Sequence, residues 1–221
     1  YSDYWNKLAT QVAGGNAPDV FGIHPHYVSD YAARDTMADL EPYIESGIIE
    51  TENIPDNVLE SGRINGKIRM ISQGPSGSSI FANKTLLDTV GIEIPTMTED
   101  WTWNEFAEKA VDFRQKALEQ GIDAYFCDDF TINYSAFRFF VRGKGSELYT
   151  EDGQLGFTAE DLNEWFTFWK TLRDADAIPD AATTTEDSAG TMEQKNFTRG
   201  NTALTNVAVN QFYQYSQQMP E

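Results

Sequence analysis

The chain has 221 residues, with 35 acidic side chains against 16 basic ones and a net charge of −19. That length suffices for a sizeable core in one large or two small domains, while the charge repels phosphate backbones and anionic membrane surfaces and excludes nucleic acid as a partner. A lone cysteine, Cys127, excludes an internal disulfide framework, and no apolar run approaches the ~20 residues of a membrane span. Aromatic residues make up 13% of the chain, more than a core strictly needs. The chain opens on Tyr1-Ser2-Asp3 without an initiator Met, so a missing N-terminal segment is expected.

Tyr4, Trp5, Leu8 and Val12 recur at helical spacing, which predicts a helix stopped by Gly14-Gly15. Asp19-Val20-Phe21 reads as a short buried strand, and Gly22 to Tyr27 as a loop carrying both histidines. Val28 to Arg34 suits one or two helical turns, Ala38 to Ile44 a connector, and Pro55 the opening of a short helix through Leu59. Asn65-Gly66, between Arg63-Ile64 and Lys67-Ile68, is a strong hairpin signal, because both residues tolerate the positive φ of a tight turn. A polar elbow from Ser72 to Ser79 leads to a second short strand, Ile80-Phe81-Ala82, and Asn83-Lys84 opens a helix.

Helical signals dominate beyond this point. Thr102-Trp103-Asn104-Glu105 fits a capping box, followed by one apolar face from Trp103 to Ala117 and a stop at Gly121. Ala124 to Cys127 is predicted as a buried strand and Tyr134 to Val141 as an aromatic-rich helix ending near Gly143. Thr158 and Asp161 open another helix, with Leu162, Trp165, Phe166, Trp169 and Leu172 as its core face. Ala181 to Gly190 reads as a surface linker, Met192 to Phe197 as helical, and Thr202 to Val207 as a strand. Strands alternating with helices argue for an α/β architecture, whose ligand sites lie beyond the carboxyl ends of strands. The candidate positions are thus the 22–27 loop, the Ser72–Ser79 elbow, the Asp128–Tyr134 loop and the Val207–Phe212 segment.

Three stretches in order resemble one family. Ala13 to Phe21 is similar to its A-x-G-x-x-P-D-V signature. Gly66-Lys67-Ile68 through Asn83-Lys84, then Gly91, Pro95 and Thr102 to Phe106, resembles its middle block, with the insertion Met97 to Trp101 interrupting the last motif. Phe197 to Leu204 resembles its F-x-x-G-x-x-A-M block. The family is the extracellular solute-binding proteins of ABC importers, in the carbohydrate group that includes maltose-binding protein.

That resemblance implies a periplasmic-binding-protein-like α/β fold, two lobes joined by hinge strands, truncated here at both ends. The first lobe would occupy residues 1–81, lacking its first strand, and the second residues 82–221, with the first crossover near Ser79–Asn83. It implies a sugar held between the lobes of a monomer, delivered to a membrane permease, with the protein extracellular or periplasmic and tethered as a lipoprotein. Carried over by position, the ligand contacts are His24, His26 and Tyr27 in the first loop and Gln73, Ser76 and Ser78 in the elbow. In the second lobe they are Asp129, Asn133 and Tyr134, followed by Asn210 and Phe212. Imidazole, phenol, amide and carboxylate groups exchange hydrogen bonds with sugar hydroxyls, and ring faces stack on C–H groups. No catalytic residue, cofactor or metal is expected, since His24 and His26 alone do not close a metal site.

Two other function classes fit parts of the chain. A glycoside hydrolase would need paired carboxylates such as Asp128 and Asp129, yet adjacent strand residues point to opposite faces. An acidic protein-interaction module would use the charge but has no need of a cleft lined with rings. Phosphate-binding, dinucleotide, zinc-protease and nucleophile-elbow motifs are absent from the sequence.

Overall fold

The computed structural model describes residues 2–74, 77–94 and 101–219. Two compact units divide the chain, Tyr1–Pro75 and Ser76–Glu221. In the first, helix α1 (Ser2–Ala13) buries Leu8 and ends at Gly14, whose N–H returns to the Thr10 carbonyl. Helix α2 (Pro25–Ala33) follows, then the short helices α3 (Glu41–Glu45) and α4 (Asp56–Glu60). Strands β1 (Arg63–Ile64) and β2 (Lys67–Ile68) close an antiparallel hairpin. Its turn has φ of 51° at Asn65 and 79° at Gly66, the double positive φ the sequence predicts. Val28, Ala32 and Met37 form a small core, packed by Phe21, Ile23, Tyr31, Ile64 and Met70. Arg69 pins it from the side through an ion pair to Asp35 at 2.8 Å.

The second unit is built on a sheet of order β3-β5-β4, with β3 (Ser78–Ala82) antiparallel to β5 (Thr202–Ala208) and β4 (Tyr125–Cys127) parallel to it. Register aligns Ala82 with Leu204 on one side and Cys127 with Leu204 on the other, so β5 is paired along both edges. Helix α5 (Lys84–Val90) is capped by Asn83, whose side chain accepts from Leu86 N–H at 3.0 Å. Helix α6 (Trp103–Glu119) begins with the predicted capping box between Thr102 and Glu105. Helix α7 (Tyr134–Gly143) starts at Asn133, and α8 (Ala159–Asp174) at the Thr158–Asp161 box. Helices α9 (Ala181–Ala189) and α10 (Phe212–Gln218) complete the unit.

Aromatic rings hold this unit together. Phe106, Phe113 and Phe126 pack with Trp165 and Trp169 in one buried cluster. The Trp103 ring meets Trp165 edge-on at 5.4 Å, and Trp165 meets Trp169 at 5.3 Å, geometries that add to area burial. Trp165 also donates through Nε1 to the Thr131 carbonyl at 2.8 Å, tying the loop after β4 to the core. Cys127 is fully buried here, and burial pushes its thiol far up, so it packs as an inert apolar side chain.

Several expectations change. Residues 19–21 form no strand, and Val20 is 89% exposed. A strand needs a ladder partner, and among the described residues the first unit offers only its hairpin. The 22–27 segment splits, because Pro25 takes the first helical position and draws His26 and Tyr27 into α2. Residues 181–189 are a helix and not a linker, started by Asp180, which accepts from Thr183 N–H at 2.7 Å. Helical structure after Gly190 is a single turn, Met192–Gln194, and Phe166 is 48% exposed, turned off the α8 core face.

Two stability outcomes follow from these contacts. Trp169 is completely buried with no partner for its indole N–H, so Trp169→Ala should cost about 3–5 kcal/mol. Trp169→Phe should cost clearly less in the same denaturant titration, since it removes an unmet donor along with the volume. A Cβ at Gly62 would lie 1.9 Å from the Met70 carbonyl oxygen, so Gly62→Ala should destabilise the first unit by roughly 1–3 kcal/mol, read as a lower melting temperature.

Candidate functional site

The parallel pairing of β4 and β5 sends both chains out of the sheet at the same end. A cavity of about 300 Å³ opens there, lined by the 128–133 segment after β4, by Thr205 to Val207 of β5, and by residues of α9 and Tyr215 of α10. Its walls mix carboxylate, amide and hydroxyl groups with the apolar surfaces of Phe130, Ile132 and Tyr215. Few polar groups on a mostly apolar concavity is the usual composition of a small-molecule site.

Asp128 sits at the inner wall. Its Oδ1 accepts from the Thr202 hydroxyl at 2.7 Å. Burial raises its pKa to about 6, against the downward pull of the Thr205 and Thr202 hydroxyls; Asp187 raises it further and Lys195 lowers it. Burial, then the nearby Asp128 carboxylate, also pushes the Tyr215 phenol up to about 12. Asp129 is held differently. Its carboxylate pairs with Arg173 and accepts from the Thr131 hydroxyl and, at 2.8 Å, from Thr131 N–H. Asn133 caps α7 by accepting from Ala136 N–H at 3.0 Å, and its Nδ2 donates to the Asn206 carbonyl at 3.3 Å. Lys195 reaches the Asp187 carbonyl and lies 3.7 Å from its carboxylate.

The sequence-derived candidates therefore fall into separate groups. In the first unit, His24 caps α2 and its Nδ1 accepts from His26 N–H at 3.3 Å, with the two rings 4.5 Å apart. Burial, then the adjacent His26, lowers the His24 pKa. Tyr27 is half-buried and stacks on Trp5 at 4.1 Å, which covers one of its faces. Gln73 is exposed, and Ser76 lies outside the described residues. In the second unit, Asp129 and Asn133 line the cavity together. Ser78 donates to the Ser135 hydroxyl at 2.7 Å or accepts from it, next to Tyr134, which is 48% exposed at the start of α7. Asn210 is exposed in a single helical turn, and Phe212, 64% exposed, meets Phe81 edge-on at 5.5 Å. Among the described residues, no group of three or more His, Cys, Asp or Glu side chains is arranged to hold a metal ion.

Sequence reasoning missed Asn206, Thr184, Asp187 and Lys195, all of which line the cavity. Asn206 carried a usable signal: an amide in the middle of the otherwise strand-forming run Thr202 to Val209 contradicts β-propensity. Thr184 and Asp187 were hidden because their helix reads locally as a linker.

The raised pKa of Asp128 has a direct consequence for stability. Its folded value, about 6, lies above the ordinary 3.8, so between those values the folded chain holds more protons than the unfolded one. The associated stability is present below pH ~4, is lost as pH rises through ~6, and amounts to at most roughly 3 kcal/mol. Asp128→Asn keeps an acceptor for Thr202 and removes the charge. Its melting temperature should exceed that of the wild type at pH 7.5, with the gap closing towards pH 4.5 in thermal melts.

A family model described as bacterial extracellular solute-binding protein matches residues 1–220. The fold is similar to that of an ABC substrate-binding protein from Listeria monocytogenes solved with cycloalternan, with a TM-score of 0.81 at 24% identity over 99% of this chain and 54% of that one. It is equally similar to a periplasmic oligogalacturonide binding protein from Yersinia enterocolitica solved with saturated digalacturonic acid, at TM-score 0.81 and 20% identity over 100% of this chain and 54% of that one. The GacH receptor of Streptomyces glaucescens, solved unliganded and with acarbose, gives 0.71 at 20% identity over 96% and 51%. The chain spans about half the length of these solved relatives. Their shared architecture is the α/β periplasmic-binding-protein fold that the three sequence blocks imply. With its family model matched from the first residue to the last but one, the chain belongs to the bacterial extracellular solute-binding proteins.

Proposed function

We propose that this chain is the receptor part of an ABC importer that binds an extracellular sugar or oligosaccharide and delivers it to a membrane permease. The observation that carries this is the polar, partly apolar cavity at the carboxyl ends of β4 and β5, in a chain whose family binds solutes. Its amide, hydroxyl and carboxylate groups suit vicinal hydroxyls, and its ring surfaces suit the C–H faces of a pyranose. Three relatives of like fold are described with carbohydrate ligands: cycloalternan, saturated digalacturonic acid and acarbose. A hydrolytic role gains no support from Asp129, whose carboxylate is engaged by Arg173 and Thr131.

In this reading the lobes are 1–81 and 82–221, crossing near Ser79–Asn83, and ligand closes them about a hinge by binding the closed state better. His24, His26 and Tyr27 supply contacts from the first lobe, and Gln73, Ser76 and Ser78 from the elbow. Asp129, Asn133, Tyr134, Asn210 and Phe212 supply those of the second. The protein acts as a monomer outside the cytoplasmic membrane, held there by a lipid anchor, and needs no cofactor.

A thermal-shift panel of neutral and acidic mono- to oligosaccharides on the full-length chain tests the reading. A true ligand at 100 times its Kd should add ~2.7 kcal/mol, and Tyr134→Ala should weaken its binding by roughly threefold to tenfold through loss of ring contact. A panel without a single shift would count against a sugar receptor.

A further inference from the structure

Asn206 stands apart from every other lining residue of the cavity. It is only 7% exposed, and neither its Oδ1 nor its Nδ2 has a hydrogen-bond partner. The Thr184 hydroxyl, across the cavity on α9, is likewise buried and unpartnered. Buried amides and hydroxyls are nearly always paired, so two orphans on one cavity mark a place where the partners come from a bound molecule. An amide asks for one donor and one acceptor at once, and a sugar hydroxyl is both.

Size and charge narrow the occupant. At about 30 Å³ per water, a cavity of about 300 Å³ has room for about ten waters, comparable in heavy atoms to one hexose. Three carboxylates line it, Asp128, Asp129 and Asp187, and among the described lining residues Lys195 is the one cation. Arg173 neutralises Asp129 and Lys195 lies beside Asp187, which leaves Asp128 without a paired cation. A ligand carboxylate placed here would meet that charge in a partly desolvated site.

Taking the chain as a carbohydrate receptor, we infer that this cavity seats a single neutral sugar ring, with the Asn206 amide and the Thr184 hydroxyl as its specificity-determining contacts, and that it rejects uronic acids. The apolar surfaces of Phe130, Ile132 and Tyr215 take the ring's C–H face.

Calorimetric titration of the full-length chain with glucose, galactose, xylose and maltotriose, beside glucuronate and galacturonate, tests this in the wild type, Asn206→Leu and Thr184→Val. At least one neutral sugar should bind, its acidic counterpart should bind at least about tenfold more weakly, and Asn206→Leu should weaken the neutral sugar about tenfold or more, the scale of a buried polar contact. Thr184→Val should weaken it severalfold. Ligand-free melts should be unchanged or raised in both variants, because each removes an orphan polar group. Should Asn206→Leu fail to fold, Thr184→Val alone decides. Unaltered affinity in the folded variants would overturn the cavity while leaving the receptor function standing, as would uronates binding as tightly as neutral sugars. Absence of binding by any sugar to the wild type would overturn both.

Discussion

The parallel pairing of β4 with β5 is the constraint on which the second unit depends. Asp128 and Thr202 are 74 positions apart, and only that pairing brings the carboxylate within 2.7 Å of the hydroxyl. Because β5 is also paired with β3, the strand that carries Thr205 and Asn206 is buried on both edges and has no freedom to slip. Rings from α6 and α8 then fill one face of the sheet, so the cavity floor rests on the best-packed part of the chain. Position and rigidity of the polar groups both follow from this order of construction.

The first unit is assembled on different terms. Its core is three buried side chains with a ring of half-buried neighbours, and its only ladder is a hairpin of two residues per strand. Ion pairs on its surface, such as Arg63 with Glu41 at 2.5 Å, are partly exposed and contribute little on their own. Much of its order comes from local devices: the proline at the start of α2, the His24 cap and the Trp5–Tyr27 stack. Such a unit has little apolar area buried per residue and lies at the low end of local stability.

Local chemistry explains which features were legible in the sequence. The capping boxes at Thr102 and Thr158 and the Asn65-Gly66 turn depend on residues within four positions of one another, and each stands where its spacing places it. The strand after Ala124 and the one after Asn201 were equally readable, being short apolar runs between turn signals. The failures share a cause as well. Asp19-Val20-Phe21 has a strand's composition but no partner among the described residues. Ala181–Ala189 has a linker's composition but a strong cap at Asp180. The fold and the general end of the sheet at which a ligand sits could be read from order and periodicity. Asn206, Thr184 and the paired state of Asp129 could not, because each is defined by residues distant in sequence that meet only in the folded chain.

The segment from Asp128 to Asn133 is fastened at four points: Thr202 holds Asp128, Arg173 holds Asp129, Trp165 holds the Thr131 carbonyl, and Asn133 caps α7. One of those fasteners is an indole fixed in the centre of the aromatic core. The rim of the cavity is therefore ordered when the chain folds and needs no further ordering when a ligand arrives. This is preorganisation, and it removes from the binding step much of the entropy loss that a free loop would impose. Even weak individual contacts at such a rim translate into affinity with little discount.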